Sequence, residues 1–215
     1  MKRATAARVF GCASVLLSYP DDESFADDLV AVGRALEQLP AGPRDELEVT
    51  ARWLAAMTPP EAAAAYVDTF DLRRGASLYL TYYRHGDTRE RGMALAALVD
   101  AYRVAGFRVV PGELPDFLPA LLELAAARPA GAGVLAEHRM ALDALHLALE
   151  KANSPYAGVL AAAGDALPAL TRGDREALRR YRAQGPPSEQ VGLEPFAPPE
   201  VLGRQATPVK LGRTR

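Results

Sequence analysis

The chain has 215 residues, with 25 Lys and Arg against 27 Asp and Glu, a formal net charge of −2 and a hydrophobic fraction of 49%. These values suit one globular domain with an appendage, and the charge balance excludes a global pull toward nucleic acid or anionic membrane. A single cysteine, Cys12, excludes an intrachain disulfide, and with only 3 histidines a cysteine- or histidine-rich metal centre is a poor candidate.

The elements follow in chain order. Isoleucine is absent, and Ala, Leu and Arg dominate, a helix-forming bias. No apolar run approaches the roughly 20 residues that span a bilayer. The basic start Met1-Lys2-Arg3 is interrupted by Arg8 and closed by Tyr19-Pro20-Asp21-Asp22 without a small-residue cleavage site. It reads as a first helix rather than a signal peptide, and the expected location is the cytoplasm. Val9, Cys12, Ala13, Leu16 and Leu17 fall at helical spacing, which places Cys12 toward the core. Phe25, Leu29, Val32, Leu36 and Leu39 form a second stripe behind acidic Asp21, Asp22 and Glu23. A third helix is predicted from Pro43 to Met57. Thr58-Pro59-Pro60-Glu61 has the form of a capping box with Pro in the first turn, opening a helix through Tyr66, Val67 and Phe70.

Asp87-Thr88-Arg89-Glu90 repeats that logic, with Asp87 as the expected cap, and opens a helix through Leu95, Leu98, Val99 and Tyr102 that stops at Gly106. Leu114-Pro115-Asp116 is predicted to start the next, with Asp116 in its first turn. Leu135, Leu142, Leu145 and Leu149 mark one further helix, Ser154-Pro155 opens another, and Gly173-Asp174 starts a short arginine-rich one to Tyr181. After Tyr181 come Pro186, Pro187, Pro195, Pro198, Pro199 and Pro208 with little periodicity. The reading is an all-α single bundle of roughly eight helices over 1–181 and a Pro-rich, disordered tail over 182–215.

The segment from Tyr66 to Asp116 concentrates the unusual chemistry. Tyr66, Phe70, Tyr79, Tyr82 and Tyr83 lie beside Arg73, Arg74, Arg84, Arg89 and Arg91, a composition suited to a recognition surface. The plainer reading packs the tyrosines between helices and leaves the arginines in solvated ion pairs. Tyr82 and Tyr83 cannot both face one way on a helix.

Linked motifs then appear in order: Tyr66-Val67-Asp68-Thr69-Phe70-Asp71, Ser77-Leu78-Tyr79-Leu80-Thr81-Tyr82-Tyr83, Gly86-Asp87-Thr88-Arg89, Arg91-Gly92, Tyr102-Arg103, Ala105-Gly106 and Glu113-Leu114-Pro115-Asp116. This series resembles the NarJ-type assembly chaperones of respiratory nitrate reductase, the delta-subunit family. They are related to the chaperones of trimethylamine-N-oxide and dimethyl-sulfoxide reductases. The resemblance implies an all-α cytoplasmic chaperone with no catalytic step. It would bind the N-terminal segment of the apo catalytic alpha subunit and hold it for insertion of the molybdenum–bis(guanine dinucleotide) cofactor and the iron–sulfur centre. No cofactor would be bound stably. The resemblance also points to a client-peptide site at Tyr66, Phe70, Tyr79, Tyr82, Arg89, Glu113, Pro115 and Asp116. Glu113 and Asp116 would offer carboxylates to basic residues of the peptide, and the aromatics would form an apolar wall. On this reading Asp116→Ala weakens binding and leaves the melting temperature nearly unchanged. Phe117 departs from the pattern, standing where the related chaperones carry His.

Two other classes compete. An enzyme would need a positioned nucleophile and base. Cys12 reads as buried, His138 and His146 lie among leucines, and His85 has no partner motif. A nucleotide could meet Arg89 near Gly86 at a helix start. A small all-α DNA-binding regulator would need a basic recognition helix. Arg172, Arg175, Arg179, Arg180 and Arg182 are interrupted by Asp174 and Glu176, so no nucleic-acid partner is expected.

Overall fold

The computed structural model describes residues 1–73, 75–110 and 112–187. Among these the chain is all helical, with α1 (Arg3–Leu16), α2 (Phe25–Leu36), α3 (Ala41–Ala55), α4 (Pro59–Tyr66), a π-helical turn (Val67–Asp71), α5 (Leu80–His85), α6 (Arg89–Val104), α7 (Leu118–Ala127), α8 (Pro129–Glu137), α9 (Arg139–Lys151), α10 (Ala157–Asp165) and α11 (Arg172–Gln184). The one extended pairing among them is an isolated antiparallel bridge between Tyr79 and Phe117.

The helices begin where backbone donors find partners. The carboxylate of Glu61 accepts the N–H of Thr58 at 2.8 Å and its hydroxyl at 2.7 Å, so the predicted box opens α4. α11 opens at Arg172, one residue earlier than Gly173-Asp174 suggests, with Thr171 as its cap. Thr171 accepts the N–H of Asp174 at 3.1 Å, and Asp174 accepts the N–H of Thr171 at 3.1 Å.

The core is built on α1 and α7, which pack together, with α10 and α3 closing one side and α9 linking α10 to α11. Val9, Phe10, Cys12, Ala13 and Leu16 of α1 meet Leu118, Leu121, Leu122 and Leu124 of α7, all buried. Cys12 is there as a small hydrophobe, and burial lifts its thiol to about 11. Two hydroxyls reaching this core are satisfied by main chain: Ser14 donates to the Pro119 carbonyl at 2.8 Å and Thr50 to the Pro155 carbonyl at 2.7 Å. α10 touches α3 backbone to backbone at Gly158, where a Cβ would lie 2.5 Å from the Glu46 carbonyl oxygen.

The structure has more and shorter helices than the roughly eight predicted. The leucine stripe from Leu135 to Leu149 is two helices, broken at His138 (φ −99°, ψ 15°). α5 is only 6 residues long and had no periodicity of its own to announce it. The largest difference is at Leu114-Pro115-Asp116. These residues form a turn, and α7 starts only at Leu118, so Asp116 is not in the first turn of that helix. α11 reaches Gln184, and from 188 onward the predicted disordered tail lies outside the described residues. No helix of the described residues is long and apolar enough to cross a membrane.

Candidate functional site

The two halves of the central motif series are joined by main chain. The N–H of Leu80 donates to the Asp116 carbonyl at 3.0 Å, and the N–H of Leu118 donates to the Leu78 carbonyl at 2.8 Å. This brings Asp116 under the start of α5. Its Oδ2 accepts the Thr81 N–H at 3.1 Å and the Thr81 hydroxyl at 2.5 Å. Asp116 therefore caps α5, a helix 35 residues upstream, and not the helix that follows it. Arg91, from the first turn of α6, completes the cluster. Its Nε donates to Thr81 Oγ1 at 3.2 Å and its Nη2 lies 3.7 Å from Asp116 Oδ2. Nη1 pairs outward with Asp87 at 3.1 Å, and the guanidinium lies 6.0 Å from the Tyr82 ring centroid. The cap of α6 is Thr88, whose hydroxyl donates to the His85 carbonyl at 2.8 Å, so Asp87 is free to hold Arg91 instead of capping.

α5 sorts its side chains by face. Thr81 and Tyr83 point inward. The Tyr83 hydroxyl donates to the carbonyls of Gly75 at 3.0 Å and Ser77 at 2.9 Å, tying down the preceding loop. Burial holds that hydroxyl well above the usual tyrosine range. Tyr82 points the other way, into a groove of about 900 Å³. Phe70, Tyr79, Tyr82 and Tyr181 supply its aromatic wall, and Asp71, Arg73, Asp87 and Arg91 its charges. Tyr79 is 38% exposed and its ring packs 5.6 Å from Phe117. Phe117 thus acts as backing for the wall, an apolar role in which it neither titrates nor accepts a hydrogen bond.

The predicted site residues divide accordingly. Phe70, Tyr79 and Tyr82 share the groove. Tyr66 is buried between Tyr19, edge-on at 5.3 Å, and Phe70, tilted at 4.9 Å, and burial raises its hydroxyl pKa. Pro115 is buried and Asp116 is 0% exposed, so neither offers a surface to a peptide in this conformation. Asp116 acts on the groove through Thr81 and Arg91. Glu113 lies apart, lining a cleft of about 180 Å³ with Tyr102, Phe107 and Glu123. Arg89 is exposed in the first turn of α6. Sequence reasoning missed Thr81, Asp71 and Tyr181, and took Arg91 only as one arginine among five. The i,i+4 spacing of Asp87 and Arg91 was the available signal. Tyr181 comes from α11, far along the chain, and carried none.

Asp116 Oδ1, His85 Nδ1 and His138 Nε2 are buried polar atoms with no hydrogen-bond partner among the described residues. Burial, helped by nearby Arg84, lowers the His138 pKa to about 4, so this imidazole is neutral at neutral pH. Among the described residues no group of His, Cys, Asp and Glu is arranged to hold a metal ion. In the arginine-rich α11, Arg172 pairs with Glu176 at 3.1 Å, Arg175 donates to the Leu170 carbonyl at 2.7 Å, and Asp174 faces Arg84 at 3.4 Å.

Residues 36–162, which hold the whole of this site except Tyr181 and Pro186, match the model of the nitrate reductase delta subunit family. The chain belongs to that family. It is 42% identical over 158 residues to the nitrate reductase-like protein NarX of Mycobacterium tuberculosis, a match covering 72% of this chain and 23% of that protein. The chain therefore spans about a quarter of that relative. It is also 36% identical over 156 residues to the probable nitrate reductase molybdenum cofactor assembly chaperone NarJ of Bacillus subtilis, covering 70% of this chain and 83% of that one. The NarJ chaperone of Escherichia coli is 34% identical over 148 residues, 67% of this chain and 63% of that one. The NarJ matches place this delta-subunit chain beside proteins named as chaperones and named for no reaction of their own.

Proposed function

We propose that this delta-subunit protein is a system-specific assembly chaperone for a respiratory nitrate reductase. In this reading it works in the cytoplasm and binds the N-terminal segment of the apo catalytic alpha subunit. It keeps that subunit competent for the molybdenum cofactor and the iron–sulfur centre before docking at the membrane. The cofactor is cargo for the client, and the chaperone performs no chemical step.

The observation that carries the reading is the open aromatic groove formed by the same segment that bears the family's motifs. Phe70, Tyr79 and Tyr82 give an apolar wall with hydroxyls at its edge, and Asp71 and Asp87 stand at the rim. An amphipathic helix buries its apolar stripe in such a groove, and its Lys or Arg side chains find the rim carboxylates. Asp116 contributes from beneath, as the group that fixes Thr81 and Arg91, and Tyr66 supports the wall through Phe70. Glu113 and Arg89 are assigned no direct contact on this reading.

The test is calorimetry of the full chain with the N-terminal peptide of the nitrate reductase large subunit from the same organism. It is paired with the molybdenum content of that reductase in a strain lacking the chaperone. The expected results are saturable binding and a reductase depleted in molybdenum. Absence of binding together with normal metal content overturns the proposal.

A further inference from the structure

The groove uses only part of the central motif series. Tyr102, Gly106 and Glu113 belong to that series and do not line it. They build the smaller cleft of about 180 Å³ instead. Gly106, with φ +83°, turns the chain out of α6 so that the N–H of Phe107 donates back to the Tyr102 carbonyl at 2.9 Å. Phe107 and Val109 then pack against the core, partly buried. The N–H of Glu113 donates to the Val110 carbonyl at 3.1 Å, a second turn that brings Glu113 to the same cleft. α7 contributes Glu123 and Leu124.

Three polar side chains meet there without partners. Among the described residues, the carboxylates of Glu113 and Glu123 form no ion pair and accept no hydrogen bond. Tyr102 is only 5% exposed, and its buried hydroxyl has no hydrogen-bond partner among those residues. Burial, then the negative charge of Glu123 and Glu113, holds that hydroxyl above the usual tyrosine range. The phenol is therefore protonated, and both carboxylates lie close enough to act on it. A buried hydroxyl without a partner carries a desolvation penalty that a ligand's donor would relieve. Arg108 is the only cation among the described lining residues, and it pairs with neither carboxylate. Arg128 is engaged elsewhere, 5.5 Å from the Phe107 ring centroid. The lining is net negative.

Size, charge and lining decide what fits. A cleft of about 180 Å³ is smaller than the roughly 300–1,000 Å³ of pockets for small organic ligands, and suits one side chain. Two unpaired carboxylates repel an anion and favour a cation. Among the described residues no acidic or histidine group is arranged to hold a metal ion. Phe107, Val109 and Leu124 match the methylene stem of a long cationic side chain. A guanidinium suits the polar end better than an ammonium, because it is weakly hydrated and presents a planar fork of N–H donors to carboxylates. Val104, Val110 and Leu114, in the segment that forms the cleft, are 84%, 60% and 40% exposed. A protein partner would cover that apolar surface, whereas a free amine would not.

We propose that this cleft is a second recognition site, which takes one arginine side chain presented by a protein partner. Its guanidinium is held by Glu113 and Glu123 and donates to the Tyr102 hydroxyl oxygen. The site is separate from the aromatic groove and stands without the client reading.

The experiment titrates the full chain with an N-acetylated, C-amidated Val-Arg-Val peptide, followed by backbone amide chemical shifts in nuclear magnetic resonance. The same peptide with lysine, or with neutral citrulline, replaces it in parallel titrations. The expected result is saturable shifts around Tyr102, Phe107, Glu113 and Glu123, and none at Tyr79 or Tyr82, with a dissociation constant on the order of 1 mM. The citrulline peptide, and the double variant Glu113→Gln with Glu123→Gln, should each bind roughly 10-fold more weakly, and Tyr102→Phe roughly 3-fold. Neither carboxylate has a partner to lose, so the double variant should keep its melting temperature. Absence of saturable shifts at the cleft at about 10 mM peptide overturns the proposal. So does equal binding of the citrulline peptide, tighter binding of the lysine peptide, or an affinity that the double variant leaves unchanged. If the double variant also weakens the N-terminal client peptide, the cleft is part of the client site and the separate site falls. If that client peptide binds nowhere while the arginine peptide behaves as expected, the client reading falls and the cleft stands.

Discussion

Two sets of aromatic side chains meet at Phe70 and do opposite work. Tyr66, Phe70, Tyr156 and Trp53 form a ladder inside the bundle, with successive ring centroids 4.9, 4.8 and 5.3 Å apart. Tyr79 and Tyr82 sit on the far side of Phe70, around an open groove. The ladder spends its rings on each other, while the groove leaves its rings waiting. Phe70 belongs to both, so the groove wall is anchored in the core. A surface this apolar stays defined without its ligand only because the side chains behind it are held.

Substitutions can break that contrast, and the largest effect belongs to a residue under the groove. Asp116→Ala removes the acceptor for two Thr81 donors and the buried counter-charge of Arg91. We expect a loss of about 3–5 kcal/mol, read by urea denaturation followed by far-UV circular dichroism. This reverses the prediction from sequence, which made Asp116 a peptide contact whose loss the fold would hardly notice.

The next effect is a pH dependence. His138 has a folded-state pKa of about 4, below the unfolded value near 6.5. The unfolded chain therefore binds the proton first. The stability tied to neutral His138 is present above about pH 6.5 and is lost as pH falls toward 4, by up to about 3 kcal/mol. His138→Gln should flatten that limb of a stability–pH profile, and an unchanged slope would assign it to other groups.

Within the groove, Tyr82→Ala should cost about 2 kcal/mol of client binding while changing the unfolding midpoint little, since its ring packs on no ladder residue. Calorimetry and thermal melts on the same samples separate the two. On the ladder side, Tyr156→Phe removes a buried hydroxyl that has no partner among the described residues. It should change stability by no more than about 1 kcal/mol and leave client affinity alone. Glu113→Ala is the smallest, within about 0.5 kcal/mol in stability and without effect on client binding, because its cleft is separate from the groove.

The helical class was legible because apolar spacing repeats over many residues: the stripes through Leu16, Leu36 and Leu145 all face the core. The Thr58–Glu61 box was legible because both partners are local. What could not be read from sequence was long-range. The carboxylate of Asp116 reaches back to Thr81, and no rule of spacing connects residues whose chains meet only by main-chain pairing at Leu78 and Leu118. Pro115 before a leucine run looked like a helix start, but Asp116 stays in the turn and that pairing holds Phe117 extended, which delays the helix to Leu118. Of the predicted peptide contacts, Phe70 in the π-helical turn, Tyr79 just before α5 and Tyr82 on its outward face line the groove. Those in the Glu113–Asp116 turn divide between a buried cap and another cleft.

The π-helical turn between Val67 and Asp71 has a consequence in length rather than chemistry. There the N–H of Leu72 reaches back five residues, to the Val67 carbonyl at 3.0 Å. The turn holds one residue more than an α-helix would use over the same rise. Removing a single residue from this turn would let it close to regular α-helical bonding over the same rise, and Arg73 would keep its place at the groove. Removing one from the regular helix before it has no such slack to draw on, and would swing everything after it by about 100°. The spare residue thus makes this turn the one place in the helix where the chain can be shortened and still deliver Arg73 to the same wall.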